Sequence, residues 1–233
     1  MQQKKQAGRS MGLNIIFEDE HVLVVKKDAG IPVQAGRMRI MDLQGLIKNE
    51  LYRRNPKGGE PYLGLIHRLD QPVEGVMVFA KTPFAAGELS KQITDGRMKK
   101  HYLARICGKP AETSGKLVDY LVKDGRTNTS TIAEPGIKDA KRAELNYTVL
   151  KADEKTTLVE VELITGRHHQ IRVQMANAGW PLYGDTKYNP AFQNTEGYVQ
   201  TALCAYKLSF VHPKTKKVME FCIEPENSML KQV

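Results

Sequence analysis

The chain has 233 residues, 41% of them hydrophobic and 26% charged, which is an ordinary globular composition and excludes a disordered or fibrous polymer. Thirty-five Lys and Arg against 26 Asp and Glu leave a formal charge of +9, which favours a polyanionic partner, most simply nucleic acid. No apolar run is long enough to span a membrane, and the opening MQQKKQAGRS lacks the apolar stretch of a secretory signal. Cys107, Cys204 and Cys222 form no CxxC pair, and their odd number does not suit a disulfide framework; their apolar neighbours predict buried thiols in a reducing, cytoplasmic compartment.

In chain order, residues 1–12 read as a basic flexible tail. Asn14 to Lys27 predicts two short strands around the turn Asp19-Glu20. Leu43, Leu46, Ile47 and Leu51 fall at helical spacing within Met41–Arg54, and Asn55-Pro-Lys-Gly-Gly is loop material. Val76–Ala80 is a short apolar strand. Pro83 opens a helix to about Thr94, which Asp95-Gly96 ends, and Lys100–Ile106 is a further strand. Residues 111–142, rich in turn formers and charges, read as a long irregular excursion. Leu145–Leu150 and Thr157–Ile164 form a β-pair, Arg167–Ala178 a helix closed by Gly179, and Leu203–Val211 with Val218–Ile223 a closing hairpin. The expected fold is α+β, with a large mixed, mostly antiparallel sheet flanked by helices and loops.

Three clusters carry chemistry. In LIHRLDQPVEG, Asp70 lies between apolar segments, so it must be hydrogen-bonded, paired with a cation or protonated. It is turn material before Pro72, a structural ion-pair partner, or a nucleophile or general base. In TGRHHQIRVQMANAG, Arg167, His168, His169 and Arg172 lie within six positions, with Ile171, Met175 and Ala178 as the buried stripe of a helix. A solvated basic face and a phosphate-binding helix start both fit. A metal site fits poorly, because adjacent histidines diverge and no Asp, Glu or Cys lies within a turn. In MKKHYLARICG, Tyr102 alternates with Ala104 and Ile106, the pattern of a core tyrosine with a hydrogen-bonded hydroxyl.

Together these segments resemble the RluA-type family of RNA pseudouridine synthases: HRLDQPVEGVMVFAKT, the K-x-Y-x-A strand from Lys100 to Gly108, and the G-R-x-H-Q-I-R helix from Gly166 to Arg172. FEDEHVLVVKKDAGIPV, GWPLYGDTKY and AYKLSFVHPKTKKVMEF resemble the family's opening and closing segments. The resemblance implies isomerisation of uridine to pseudouridine in ribosomal or transfer RNA by one catalytic domain, residues 13–228, with no separate N-terminal RNA-binding module. By it, Asp70 is the nucleophile, Tyr102 stacks near the base and handles the carbon-5 proton, and Arg172 pairs with Asp70. Arg68 fills the gap left by the flipped nucleotide, and His67, Arg167, His169 and Lys100 contact RNA. It implies a monomer that needs no cofactor, metal or membrane. The alternative within the same fold is an inactive RNA-binding protein acting in RNA folding or ribosome assembly. The sequence departs from the family pattern at Gln71, Val73, Glu74, Gln174 and Cys204, and Glu74 is expected to set a negative charge near the phosphate path.

Overall fold

The computed structural model describes residues 13–34, 41–197 and 199–231, so the expected tail at residues 1–12 lies outside the described residues. The chain divides into two compact units, Met1–Met98 with Leu208–Ile223, and Lys99–Lys207 with Glu224–Val233.

In the first unit, β1 (Asn14–Glu18) and β2 (Val22–Lys27) form the expected antiparallel pair. Asp19 closes their turn by accepting the backbone N–H groups of His21 and Val22 at 2.7 and 2.8 Å, as Asx side chains do. β2 also pairs with β4 (Glu74–Ala80), which pairs on its other side with the two-residue β3 (Gly64–Leu65). Every residue of β2 and β4 is buried, which is why VLVV in β2 and VMVFA in β4 read as unbroken apolar runs. Helix α1 (Leu43–Arg54) starts where the Asp42 carboxylate accepts the Gly45 N–H at 2.6 Å. Helix α2 (Pro83–Thr94) starts where Thr82 Oγ1 accepts the Ala85 N–H, with Pro83 at the first position, where a missing N–H costs no helical bond. Val22, Val24, Val76, Val78, Ala85, Leu89, Leu208 and Phe210 form one core.

The second unit holds β5 (Lys99–Cys107), β6 (Ser114–Asp124), β7 (Thr129–Ala133), β8 (Lys141–Ala152) and β9 (Thr156–Leu163), paired antiparallel in the order β5-β9-β8-β6-β7. Residues 111–142 are therefore mostly β-structure, not the expected irregular excursion. Of the eleven residues of β6 only Leu121 is buried, so the strand lacks the apolar alternation by which a sequence announces one. Its hairpin turn is made locally: Asp124 accepts from Arg126 N and Thr127 Oγ1, and Asn128 takes the left-handed conformation at φ 53°.

Helix α3 (Gln170–Asn177) starts three residues later than expected. His169 is left-handed, at φ 53°, and Gln170 Oε1 turns back to accept Arg167 N and Thr165 Oγ1. Arg167 and the two histidines thus precede the helix instead of lining its first turn. Gly179, at φ 85°, closes it as expected.

The last strands are β10 (Leu203–Val211), whose final four residues belong to the first unit, and its partner β11 (Val218–Cys222). Cys204 is buried and Cys107 half-buried, but Cys222 is exposed, because Met219 and Phe221 take the inward positions of β11. Antiparallel sheet with helices alongside makes the fold α+β. No described helix is long and apolar enough to cross a membrane.

Candidate active site

Asp70 stands in a turn that the first unit pins from several sides. Its carbonyl accepts the Val73 N–H at 3.0 Å, which makes Asp70 the first residue of a β-turn through Gln71 and Pro72. Lys27, at the end of the apolar strand β2, is fully buried, and its Nζ donates to the carbonyls of Asp28, Gln71 and Val73 at 3.0, 3.1 and 2.7 Å. Gly30 and Gln71 exchange a second pair of bonds: Gly30 N–H to the Gln71 carbonyl at 2.8 Å, and Gln71 Nε2 to the Gly30 carbonyl at 3.0 Å. On the other flank, His67 Nε2 accepts the Val78 N–H at 3.2 Å, which ties the loop to β4 and leaves the ring proton on Nδ1. Arg68, between these anchors, is exposed.

Lys27 is also the cation of this site. Burial pushes its pKa down to about 8, against the nearby negative charges of Asp70, Asp28 and Glu74, which act to keep it protonated. Glu74 is itself only 1% exposed, so its charge lies inside the unit beside Lys27 and not on a surface. Sequence reasoning singled out Asp70 and Arg68 but missed Lys27. The available signal was a pair of lysines closing a strand that opens with valine and leucine.

The second unit holds the remaining residues. Tyr102, 5% exposed, sits in the middle of β5 on the face it shares with Ala104 and Ile106. Arg172, on α3, is 3% exposed, so it belongs to no solvated face. Its Nε and Nη2 donate to Asp185 Oδ2 and Oδ1, both at 2.7 Å, in a bidentate pair whose carboxylate is fully buried. Asp185 also accepts the N–H groups of Lys187 and Tyr188, and the guanidinium lies 5.2 Å from the centre of the Tyr188 ring. Asp185 and Tyr188 were not anticipated as site residues, because the aspartate follows its arginine by thirteen positions across a loop.

The RNA pseudouridylate synthase family model matches residues 21–177 of this chain, a span that includes Asp70, Tyr102 and Arg172. The chain belongs to the RNA pseudouridylate synthase family. Among its relatives is ribosomal large subunit pseudouridine synthase D of Nitrosomonas europaea, 34% identical over 214 residues, with 89% of this chain and 60% of the relative covered. Another is an uncharacterized RNA pseudouridine synthase of Bacillus subtilis, 35% identical, with 90% of this chain and 71% of the relative covered. The chain thus spans 60% and 71% of the lengths of these two curated relatives. The fold is that of human RNA pseudouridylate synthase domain containing 4, with a TM-score of 0.75 at 22% identity over 93% of this chain and 90% of that one.

In this family member the basic GRHHQIR segment is divided in its tasks. Arg167 is exposed and anchored through Nε to the Arg142 carbonyl at 2.8 Å. His168 and His169 stack at 3.8 Å, and His168 bonds Ser130 and Asn128 of the β6–β7 hairpin. His169 is 6% exposed, with Nδ1 2.7 Å from the Tyr188 hydroxyl, which itself accepts the Ser130 N–H. Burial, aided by the positive charges of Arg172, His168, Lys187 and Lys123, pushes the His169 pKa down to about 2. His169 is therefore neutral at physiological pH and cannot grip phosphate as a cation.

That shift has a defined sign. The unfolded histidine takes up a proton near pH 6.5 while the folded one does not, so the contribution is intact above pH 6.5 and is lost as pH falls from there toward 2. From this group alone, denaturant titrations should show stability falling by about 1.4 kcal/mol per pH unit below 6.5. His169→Gln should flatten that slope. An unchanged slope in the variant would place the acid sensitivity elsewhere.

Gly184, just before Asp185, is required for conformation. Its φ is +74°, and an added Cβ would lie 2.4 Å from the Gln200 carbonyl oxygen and 2.9 Å from Val199 Cγ1. Gly184→Ala should cost at least about 3 kcal/mol, read as a lowered melting temperature, because left-handed strain and a backbone clash add.

Proposed function

We propose that this chain is an RNA pseudouridine synthase that converts specific uridines of structured RNA to pseudouridine, with large-subunit ribosomal RNA as its first substrate class. The observation that carries the reading is Asp70, set in a turn fixed by Lys27, Gly30 and His67 in a chain that belongs to this family. A carboxylate carried on so fixed a turn can act on an incoming ribose without reorganising its loop. The ribosomal preference rests on the name of the Nitrosomonas europaea relative.

In this reading Asp70 assists cleavage of the bond between uracil N1 and ribose C1′. The detached base turns, a bond forms between C5 and C1′, the C5 proton leaves and N1 gains one, so composition is unchanged. Tyr102 stacks on the base and receives or relays the C5 proton. A base inside a helix reacts only after extrusion, and the exposed guanidinium of Arg68 is suited to stacking in its place. The excess of +9 supplies a grip on phosphates that is independent of sequence. The protein acts in the cytoplasm as a monomer, with neither metal nor cofactor.

The test uses ribosomal and transfer RNA transcripts carrying tritium at uridine C5, incubated with the protein in EDTA. Tritium release with intact RNA supports the reading and ranks the two substrates. RNA that binds but releases no tritium overturns it.

A further inference from the structure

The run Lys99-Lys100-His101 opens β5, and strand alternation sends neighbouring side chains to opposite faces. Lys99 Nζ lies 3.8 Å from Glu162, and His101 Nδ1 lies 3.6 Å from Glu160. Lys100 has no such match. Among the described residues its half-buried ammonium makes no hydrogen bond and no ion pair. Burial pushes its pKa down, and no carboxylate charge opposes that effect. A cation held partly out of water without a counter-charge lowers stability, so its presence points to a ligand that supplies the charge.

Gly166 provides a second, independent observation. Its φ lies outside the left-handed region, so no positive φ demands glycine there. A Cβ at this position would stand 3.4 Å from Lys100 Nζ, so the missing side chain keeps one side of the ammonium open. Arg167 follows, exposed and tethered through Nε. Lys100 also shares its strand face with Tyr102, two residues on.

We propose that Lys100 and Gly166 form an anion subsite that takes a non-bridging oxygen of an RNA phosphodiester beside the uridine met by Tyr102. The inference rests on the reading of RNA as substrate. A compact ammonium suits a single phosphate oxygen, for which a point charge suffices. The open side left by glycine lets the phosphate approach without displacing a side chain.

Affinity for an unmodified ribosomal RNA transcript, measured across a salt series, tests this with Lys100→Met, Gly166→Ala and the double variant. Loss of one phosphate contact should lower the slope of log affinity against log salt by about 0.7 to 0.9 in Lys100→Met. Lys100→Arg should restore most of that slope. Gly166→Ala should weaken binding when Lys100 is present and add nothing once it is Met. Melting temperature gives a separate readout: Lys100→Met should melt no lower than the parent, because it removes an unmatched charge from a half-buried place. An unchanged salt slope, or a clear fall in melting temperature marking Lys100 as a structural prop, overturns the subsite. Tritium release by the unsubstituted protein tests the isomerase reading separately, so the two can fail independently.

Discussion

Asp70→Asn should lower single-turnover isomerisation by about 10,000-fold or more while leaving RNA affinity within a few-fold of the parent. The amide keeps the size of the carboxylate but loses its nucleophilic anion. The turn should survive, because the bonds that shape it run to backbone groups: Val73 N–H to the Asp70 carbonyl, Lys27 to the carbonyls of Gln71 and Val73, and Gly30 to Gln71. The substitution should also move the Lys27 pKa further down from about 8, since the Asp70 charge is the first of those holding it up. NMR of lysine labelled at Cε reads that shift directly. Near-normal turnover in the variant would remove Asp70 as nucleophile. An unmoved Lys27 would remove the electrostatic link between the two.

Arg172→Met should be the most destabilising substitution of a proposed site residue. It leaves the fully buried Asp185 carboxylate without its bidentate partner, a loss of about 3–5 kcal/mol. For a chain of this length that is a fall of roughly 6–20 °C in melting temperature. Asp185→Asn in the same chain should restore part of it, because a neutral amide no longer needs the cation and its Oδ1 can still accept Lys187 N and Tyr188 N. The pair should therefore be non-additive by about 1–3 kcal/mol. Arg172→Lys should fall between parent and Met, because an ammonium cannot reproduce two parallel bonds from a planar fork. Strictly additive losses would mean that the 2.7 Å pair does not operate in solution. A parallel cycle with Asp70→Asn asks whether the same guanidinium also serves the proposed nucleophile. A catalytic defect in Asp185→Asn larger than its loss of stability would mark Asp185 as a positioning residue for Arg172.

Elements whose signals are local were legible in the residues themselves. Thr82-Pro83 marks the start of α2, the unbroken apolar runs mark β2 and β4, and Gly179 marks the end of α3. The order of the three motifs also named the family that the family model then matched. Tertiary structure decided what depended on distant partners. β6 and β7 exist because β8 pairs with β6 across twenty or more residues, while their own half-exposed faces carry too little apolar contrast to declare strands. α3 starts at Gln170 because one side chain caps the loop behind it and His169 turns left-handed, a competition between local bonds that helical periodicity does not record. The same distance hid the partners of the chemical residues. Lys27 reads as the end of a strand until its ammonium meets carbonyls more than forty residues away, and Arg172 reads as part of a basic face until Asp185 folds beneath it. A charge can be buried only where the fold brings its counter-group, so sequence showed which residues could do chemistry, and the packing of remote segments decided which became fixed, neutral or paired.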